Sequence, residues 1–236
     1  NFAWMGLHLW YLLMLFLFSW LMLSTFQRIN RSQDFTTRIA DTITKPFGVY
    51  LFIIPLFLME ILVSLSPDIV GRRDFGGWSP LTYLVFFVIG YLLASDSRYR
   101  PAIEKVRFIS LALSLLTVLA AYIMLAEMNL PSTNPLYLLV RSTNSWSWLL
   151  AFMGFASQHL NFKNNFLKYA NEAVLPFYIL HQTVIVTIGY FIRDWTWAVF
   201  PKYLFLAATS FIVIMALYEF FVKRVNALRY LFGMKG

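Results

Sequence analysis

Apolar positions along this chain do not alternate with polar ones; they run on for stretches of about 17 to 25 residues, the length that crosses a hydrocarbon core. Seven stretches can be marked, at 4–23, 47–65, 80–94, 108–128, 136–157, 173–191 and 203–222. The third is short, and the fifth is interrupted by Arg141, Ser142, Thr143, Asn144 and Ser145. A transmembrane barrel would need alternating segments of about 9 to 11 residues, and the run from Leu12 to Leu23 does not alternate. The expected fold is therefore all-α, a polytopic transmembrane helix bundle of about seven spans forming a single domain over 1–236.

The cations between these stretches set an orientation. Arg28, Arg31, Arg38 and Lys45 follow the first stretch, and Arg98, Arg100, Lys105 and Arg107 follow the third. Lys163 and Lys168 follow the fifth, and Lys223, Arg224, Arg229 and Lys235 the seventh. The opposite loops hold only Arg72, Arg73, Arg193 and Lys202. Cation-rich loops stay cytoplasmic, so the N-terminus is expected outside and the C-terminus in the cytoplasm, in a multi-pass protein of the inner or plasma membrane. Trp10, Trp78, Trp146, Trp148, Trp195 and Trp197 fall near the expected outer helix ends, where indole rings favour the headgroup level.

Composition agrees: 60% of the 236 residues are hydrophobic and only 13% charged, which leaves too little polar surface for a soluble domain. In so apolar a chain the formal charge of +8 anchors loops, and no nucleic-acid partner is expected. The partner is the lipid bilayer. Cysteine is absent, which excludes disulfides, thiol nucleophiles and thiolate metal sites, and the three widely spaced histidines suggest no metal. The chain opens on Asn1 in an apolar run without a signal-peptide pattern and is expected to be N-terminally incomplete.

Polar groups inside a bilayer cost free energy and mark either function or a specific structural pairing. His8 lies in the first turns of the first stretch, as an interfacial group or a substrate contact. Glu60, in the second, is expected to pair or become neutral, and a structural ion pair is as good a reading as catalysis. The Arg141 to Ser145 run suits a water-filled cavity or a partner helix. Tyr178, His181 and Gln182 are spaced i, i+3 and i+4 after Pro176, expected near a helix start, and form one stripe facing the bundle, either as hydrogen-bonded core or as a ligand contact. Glu219 most simply pairs with Lys223.

The run His8-Leu9-Trp10-Tyr11-Leu12, the run Phe86-Phe87-Val88-Ile89-Gly90-Tyr91-Leu92-Leu93, and above all Leu175-Pro176-Phe177-Tyr178-Ile179-Leu180-His181-Gln182-Thr183-Val184-Ile185-Val186 resemble later helices of the acyltransferase 3 family. Asn144 to Trp148, Phe155 and an amphipathic loop at 160–172 resemble the region before the last of these motifs. The resemblance implies a membrane enzyme transferring an acyl group, such as acetyl or succinyl, from acetyl-CoA or a similar acyl-CoA to a hydroxyl of a sugar, glycan or other envelope molecule. Members resemble ten-helix proteins whose first helix carries Arg or Lys and, after ten intervening residues, a histidine base. Here the residue eleven before His159 is Trp148, the one before His181 is Ala170, and His8 lies too early for the pattern. The chain alone is thus expected to lack the base and three helices, and to be inactive. Arg141 and Asn144 are the expected acceptor contacts near the outer face, and Tyr178 with His181 the expected contacts toward the coenzyme, with His8, Glu60 and Gln182 as further substrate-binding candidates. The rival readings are a glycan transporter or flippase and a non-catalytic remnant.

Overall fold

The computed structural model describes residues 9–31, 33–65 and 77–234, the side chains of Gln33 and Asp34 excepted. Helix α1 spans Trp10–Arg31 and α2 Gln33–Ile43; a 3₁₀ turn at Gly48–Phe52 leads into α3, Ile53–Leu65. Then come α4, Pro80–Ser95; α5, Tyr99–Tyr122, continued by a π-helical turn at Ile123–Glu127; and α6, Pro135–His159. Helix α7 spans Asn165–Ile192, α8 Val199–Leu217 with a π-helical turn at Tyr218–Val222, and α9 Asn226–Leu231. Among the described residues, each of the seven apolar stretches is thus largely helical. Five continuous helical stretches among the described residues are long and apolar enough to cross a membrane: Trp10–Arg31, Gly48–Leu65, Tyr99–Glu127, Asn165–Ile192 and Val199–Val222. Helix α4 is apolar but has 16 residues, and the polar run lowers the hydropathy of the 25-residue α6.

Local chemistry fixes several helix starts. Ser79 Oγ accepts from the Leu81 N–H at 3.2 Å, and Asn134 Oδ1 accepts from the Leu136 N–H at 2.9 Å, with Pro80 and Pro135 opening the two helices. A side-chain acceptor and a residue with no N–H to lose are what a helix N-terminus needs. Asn164 Oδ1 accepts from the Leu167 N–H at 2.6 Å and starts α7 at Asn165. That corrects two expectations: most of 160–172 is helix rather than loop, and Pro176 lies inside α7 rather than at its start. Helices α2 and α9 were not marked in the sequence, because neither is long or apolar enough to stand out.

The chain divides into two compact units, one at Trp10–Asn161 and one containing the α7–α8–α9 region. In the first, α5 and α6 run antiparallel: Asn144 reaches Ser114 and Thr117, while Gly154 meets Ile103 and Arg107. A Cβ on Gly154 would lie 2.7 Å from the Arg107 Cβ, so only glycine permits this approach. Helix α3 and the 3₁₀ turn before it also run against α6, pairing Glu60 with Arg141 and Phe52 with Trp146. Helix α1 lies parallel to α4 through Trp10 on Tyr83, Phe18 on Phe87 and Phe26 stacked on Tyr91. Trp146 departs from expectation, being buried in the core with its Nε1–H donating to the Val49 carbonyl at 2.8 Å. At about 1.5 Å per residue it lies roughly 16 Å into α6, too deep for the headgroups.

In the second unit α7 and α8 pair antiparallel through Phe177 on Phe211 and Tyr169 on Tyr218. The Tyr169 hydroxyl donates to Glu219 at 3.1 Å, and Lys223 Nζ lies 3.0 Å from Glu219, the pairing expected from their spacing. Helix α9 ends in a turn that packs Phe232 and Met234 against buried Ala173, Tyr218 and Val222.

Candidate functional site

Among the described residues, polar side chains gather within apolar helices in each of the two units. In the first unit the C-terminal half of α3 meets the starts of α4 and α6. Glu60 is fully buried there. Its Oε1 accepts from Thr82 Oγ1 at 2.6 Å, and Arg141 Nη1 stands 3.8 Å from its other oxygen. The Arg141 guanidinium also donates to the Gly77 carbonyl and lies over the Trp78 ring, 4.0 Å from its centroid. A buried carboxylate is tolerated when a cation and hydrogen-bond donors compensate its lost hydration, and Thr82 with Arg141 does this. The result is a carboxylate and a planar guanidinium, held in register beside an indole face at one end of the helices.

Asn144, three residues beyond Arg141, belongs to a different contact. Its Nδ2 donates to the Ser114 carbonyl at 2.8 Å and to Thr117 Oγ1 at 2.9 Å, both on α5. Ser142 and Ser147 are fully buried in the same helix. At Asn144 the polar run meets a partner helix, and α6 continues unbroken through the run.

The second group lies on α7. Tyr178, His181 and Gln182 are half-buried on one face, and the Tyr178 and His181 rings are 5.5 Å apart. The His181 Nδ1 lies 2.5 Å from the Tyr178 carbonyl, a bond within its own helix. With Nδ1 protonated and donating, Nε2 is the basic nitrogen of the ring. His8 lies outside the described residues. The structure brings Glu60 and Arg141 together, and separately Tyr178, His181 and Gln182; it does not join Asn144 to Glu60. Sequence reasoning missed Thr82 and Gly77 and took Trp78 only as a headgroup anchor. The available signal was Thr82 itself, a short hydroxyl side chain within the apolar start of α4.

The sequence matches the acyltransferase domain of the acyltransferase 3 family over residues 3–219, which takes in α1 through α8 and both polar groups. No curated protein and no solved structure matches it. The chain belongs to the acyltransferase 3 family of membrane acyltransferases.

Proposed function

We propose that the chain belongs to a membrane enzyme moving an acyl group, such as acetyl or succinyl, from a CoA-type donor to a hydroxyl of a sugar, glycan or other envelope molecule. The Glu60–Thr82–Arg141–Trp78 cluster supports the acceptor half of this reading. An acceptor hydroxyl needs a donor and an acceptor at fixed spacing, and a sugar ring packs on an indole face beside them. Acyl transfer also needs a base to take the hydroxyl proton as the oxygen attacks the thioester carbonyl, and donors for the oxyanion. The thioester supplies the activated acyl group. Eleven residues before His159 stands Trp148 and before His181 Ala170, so neither histidine is assigned as that base. Tyr178, His181 and Gln182 are assigned to holding a substrate in the bundle, with Tyr178 and His181 toward the coenzyme.

Labelled acetyl-CoA and a glycan acceptor test the reaction class. Label should reach the acceptor hydroxyls in membranes containing a family member that carries the Arg-to-His pattern, and about 10² to 10⁴-fold more slowly with this chain alone. Turnover by this chain close to that of the relative would overturn the missing-base reading, and glycan crossing the membrane without label transfer would favour the transporter.

The proposed placement is multi-pass in the cell membrane with the N-terminus outside. The opposed directions of α3 and α6, and of α5 and α6, support alternate crossing. A reporter after Gly236 should read cytoplasmic and one inserted near Asn134 external. The same side for both would sink this topology.

A further inference from the structure

At the start of α7 a cavity of about 510 Å³ opens between that helix and the C-terminal turn after α9. One wall is Lys168, Asn171, Glu172 and Leu175, a single face of α7 spaced i, i+3, i+4 and i+7. The other is Arg229 with Phe232, Gly233 and Met234.

This wall is fixed by a helix-ending turn. The Met234 N–H donates to the Arg229 carbonyl at 2.9 Å and the Gly233 N–H to the Tyr230 carbonyl at 3.1 Å, with Gly233 at φ +68°. That bond pair with a left-handed glycine is the Schellman closure. A Cβ on Gly233 would come within 3.1 Å of the Leu175 Cδ2, and the left-handed backbone calls for glycine. Phe232 and Met234 anchor the turn on the apolar cluster between α7 and α8. The cavity is therefore shaped before any ligand arrives.

Its position is that of a bilayer interface. Phe220, Phe221, Tyr230 and Leu231 are strongly exposed nearby in the chain, an apolar belt that needs lipid. Lys163, Lys168, Lys223, Arg224 and Arg229 gather at the same end of the α7–α8 hairpin, against Arg193 and Lys202 at the other. Lys168, Asn171 and Glu172 are exposed, so the charged wall faces outward. A basic pocket at the rim of an apolar belt is a phosphate site at headgroup depth.

Glu172 makes the site more selective. A pocket for phosphate alone would gain nothing from a carboxylate. Pro176, inside α7, has no N–H for the carbonyl four residues before it, which is that of Glu172. Residue 172 therefore brings a carboxylate and a carbonyl without its helical donor. Both suit a group with several N–H donors and a positive charge.

We propose that this cavity binds a phospholipid headgroup carrying a phosphate and a primary ammonium, of the ethanolamine type. Lys168, Arg229 and the Asn171 amide hold the phosphate. Glu172 takes the ammonium, and Leu175, Phe232 and Met234 meet the start of the acyl chains. A choline headgroup has the charge but no N–H, and a glycerol headgroup has no charge to give Glu172.

The experiment is lipid retention by the full 236-residue chain, measured by native mass spectrometry from mixed micelles of ethanolamine, glycerol and choline phospholipids. The ethanolamine lipid should be retained over the other two. Glu172→Gln should erase its advantage over the glycerol lipid, by about tenfold, the size of one charge-assisted hydrogen bond. Lys168→Ala, at an exposed position that leaves folding intact, should weaken retention of ethanolamine and glycerol lipids alike. Equal retention of all three lipids, or retention indifferent to both substitutions, would overturn the proposal. So would displacement of the lipid by inorganic phosphate or adenosine 3′,5′-bisphosphate, which would mark the cavity as a site for a soluble phosphate.

Discussion

Glu60 and His181 both sit in helices whose neighbours are mostly apolar, yet they find partners differently. Glu60 is met from two other helices, by Thr82 at the start of α4 and Arg141 near the start of α6, partners 22 and 81 positions away. His181 bonds the carbonyl of Tyr178, three positions back in its own helix. A bond that crosses helices exists only in the folded bundle and contributes to holding it together. A bond to the preceding turn survives whenever the helix does, and adds little to tertiary structure. The first arrangement ties three helices together beside the half-buried Trp78 and Arg141; the second holds the ring through a bond within its own helix.

The largest effect that could break this contrast comes from Glu60→Ala. Removing the carboxyl leaves the buried Thr82 hydroxyl without this acceptor and takes one charge contact from the half-buried Arg141. Stability should fall by about 1–3 kcal/mol, the usual cost of leaving a buried polar group unsatisfied. At 3.8 Å the Arg141 contact is loose, so much of the loss belongs to the Thr82 bond and to desolvation. Glu60→Gln, which keeps an acceptor for Thr82, should cost markedly less. Both are read from unfolding midpoints in detergent. A fully stable Glu60→Ala chain would mean the cluster is not a frame, and the distinction from α7 would collapse.

Asn144→Ala sharpens it at an intermediate scale. Asn144 was read with Arg141 as an acceptor contact, but its amide donates twice to α5. Interhelical hydrogen bonds in membranes contribute about 0.6–2 kcal/mol, and the same unfolding assay should show a loss in that range. No loss of stability together with weakened acceptor binding would return Asn144 to the site.

How much of this was legible follows from where each signal lies. Helix length and apolarity are local, so the bodies of α3 to α8 could be read directly. The start of α7 could not, because 160–172 is polar on one face and resembles a loop until the Asn164 cap is seen. Glu60 was legible in kind, since an isolated carboxylate in an apolar helix must pair, but its partners depend on which helices pack together. Trp146 was misplaced for a simpler reason: its distance from the start of α6 already put it near mid-membrane. The α7 stripe was visible because i, i+3, i+4 spacing is a property of one helix. The family resemblance rested on the same run, Leu175 to Val186, and on motifs spread along the chain.

The smallest stability effect expected is that of His181→Ala, and its smallness carries the argument. The bond to the Tyr178 carbonyl contributes about 0.5–1.5 kcal/mol net, as hydrogen bonds do. Alanine recovers up to about 0.7 kcal/mol through its better helix propensity, so the remainder should stay below about 1 kcal/mol. Val186, 58% exposed on the same helix, is the control for a lipid-facing position, whereas Ile179 is half-buried. In a family member that carries both the Arg-to-His pattern and the Leu-Pro-Phe-Tyr-Ile-Leu-His-Gln run, the matching His→Ala change should leave the folded yield intact and reduce acyl transfer. The change matching Val186→Ala should do neither. Loss of folded protein on replacing the histidine would show that it ties α7 to its neighbours, as Glu60 ties α3. A stable and fully active variant would remove it from the site, leaving the Glu60–Arg141 end as the place where substrate specificity must be sought.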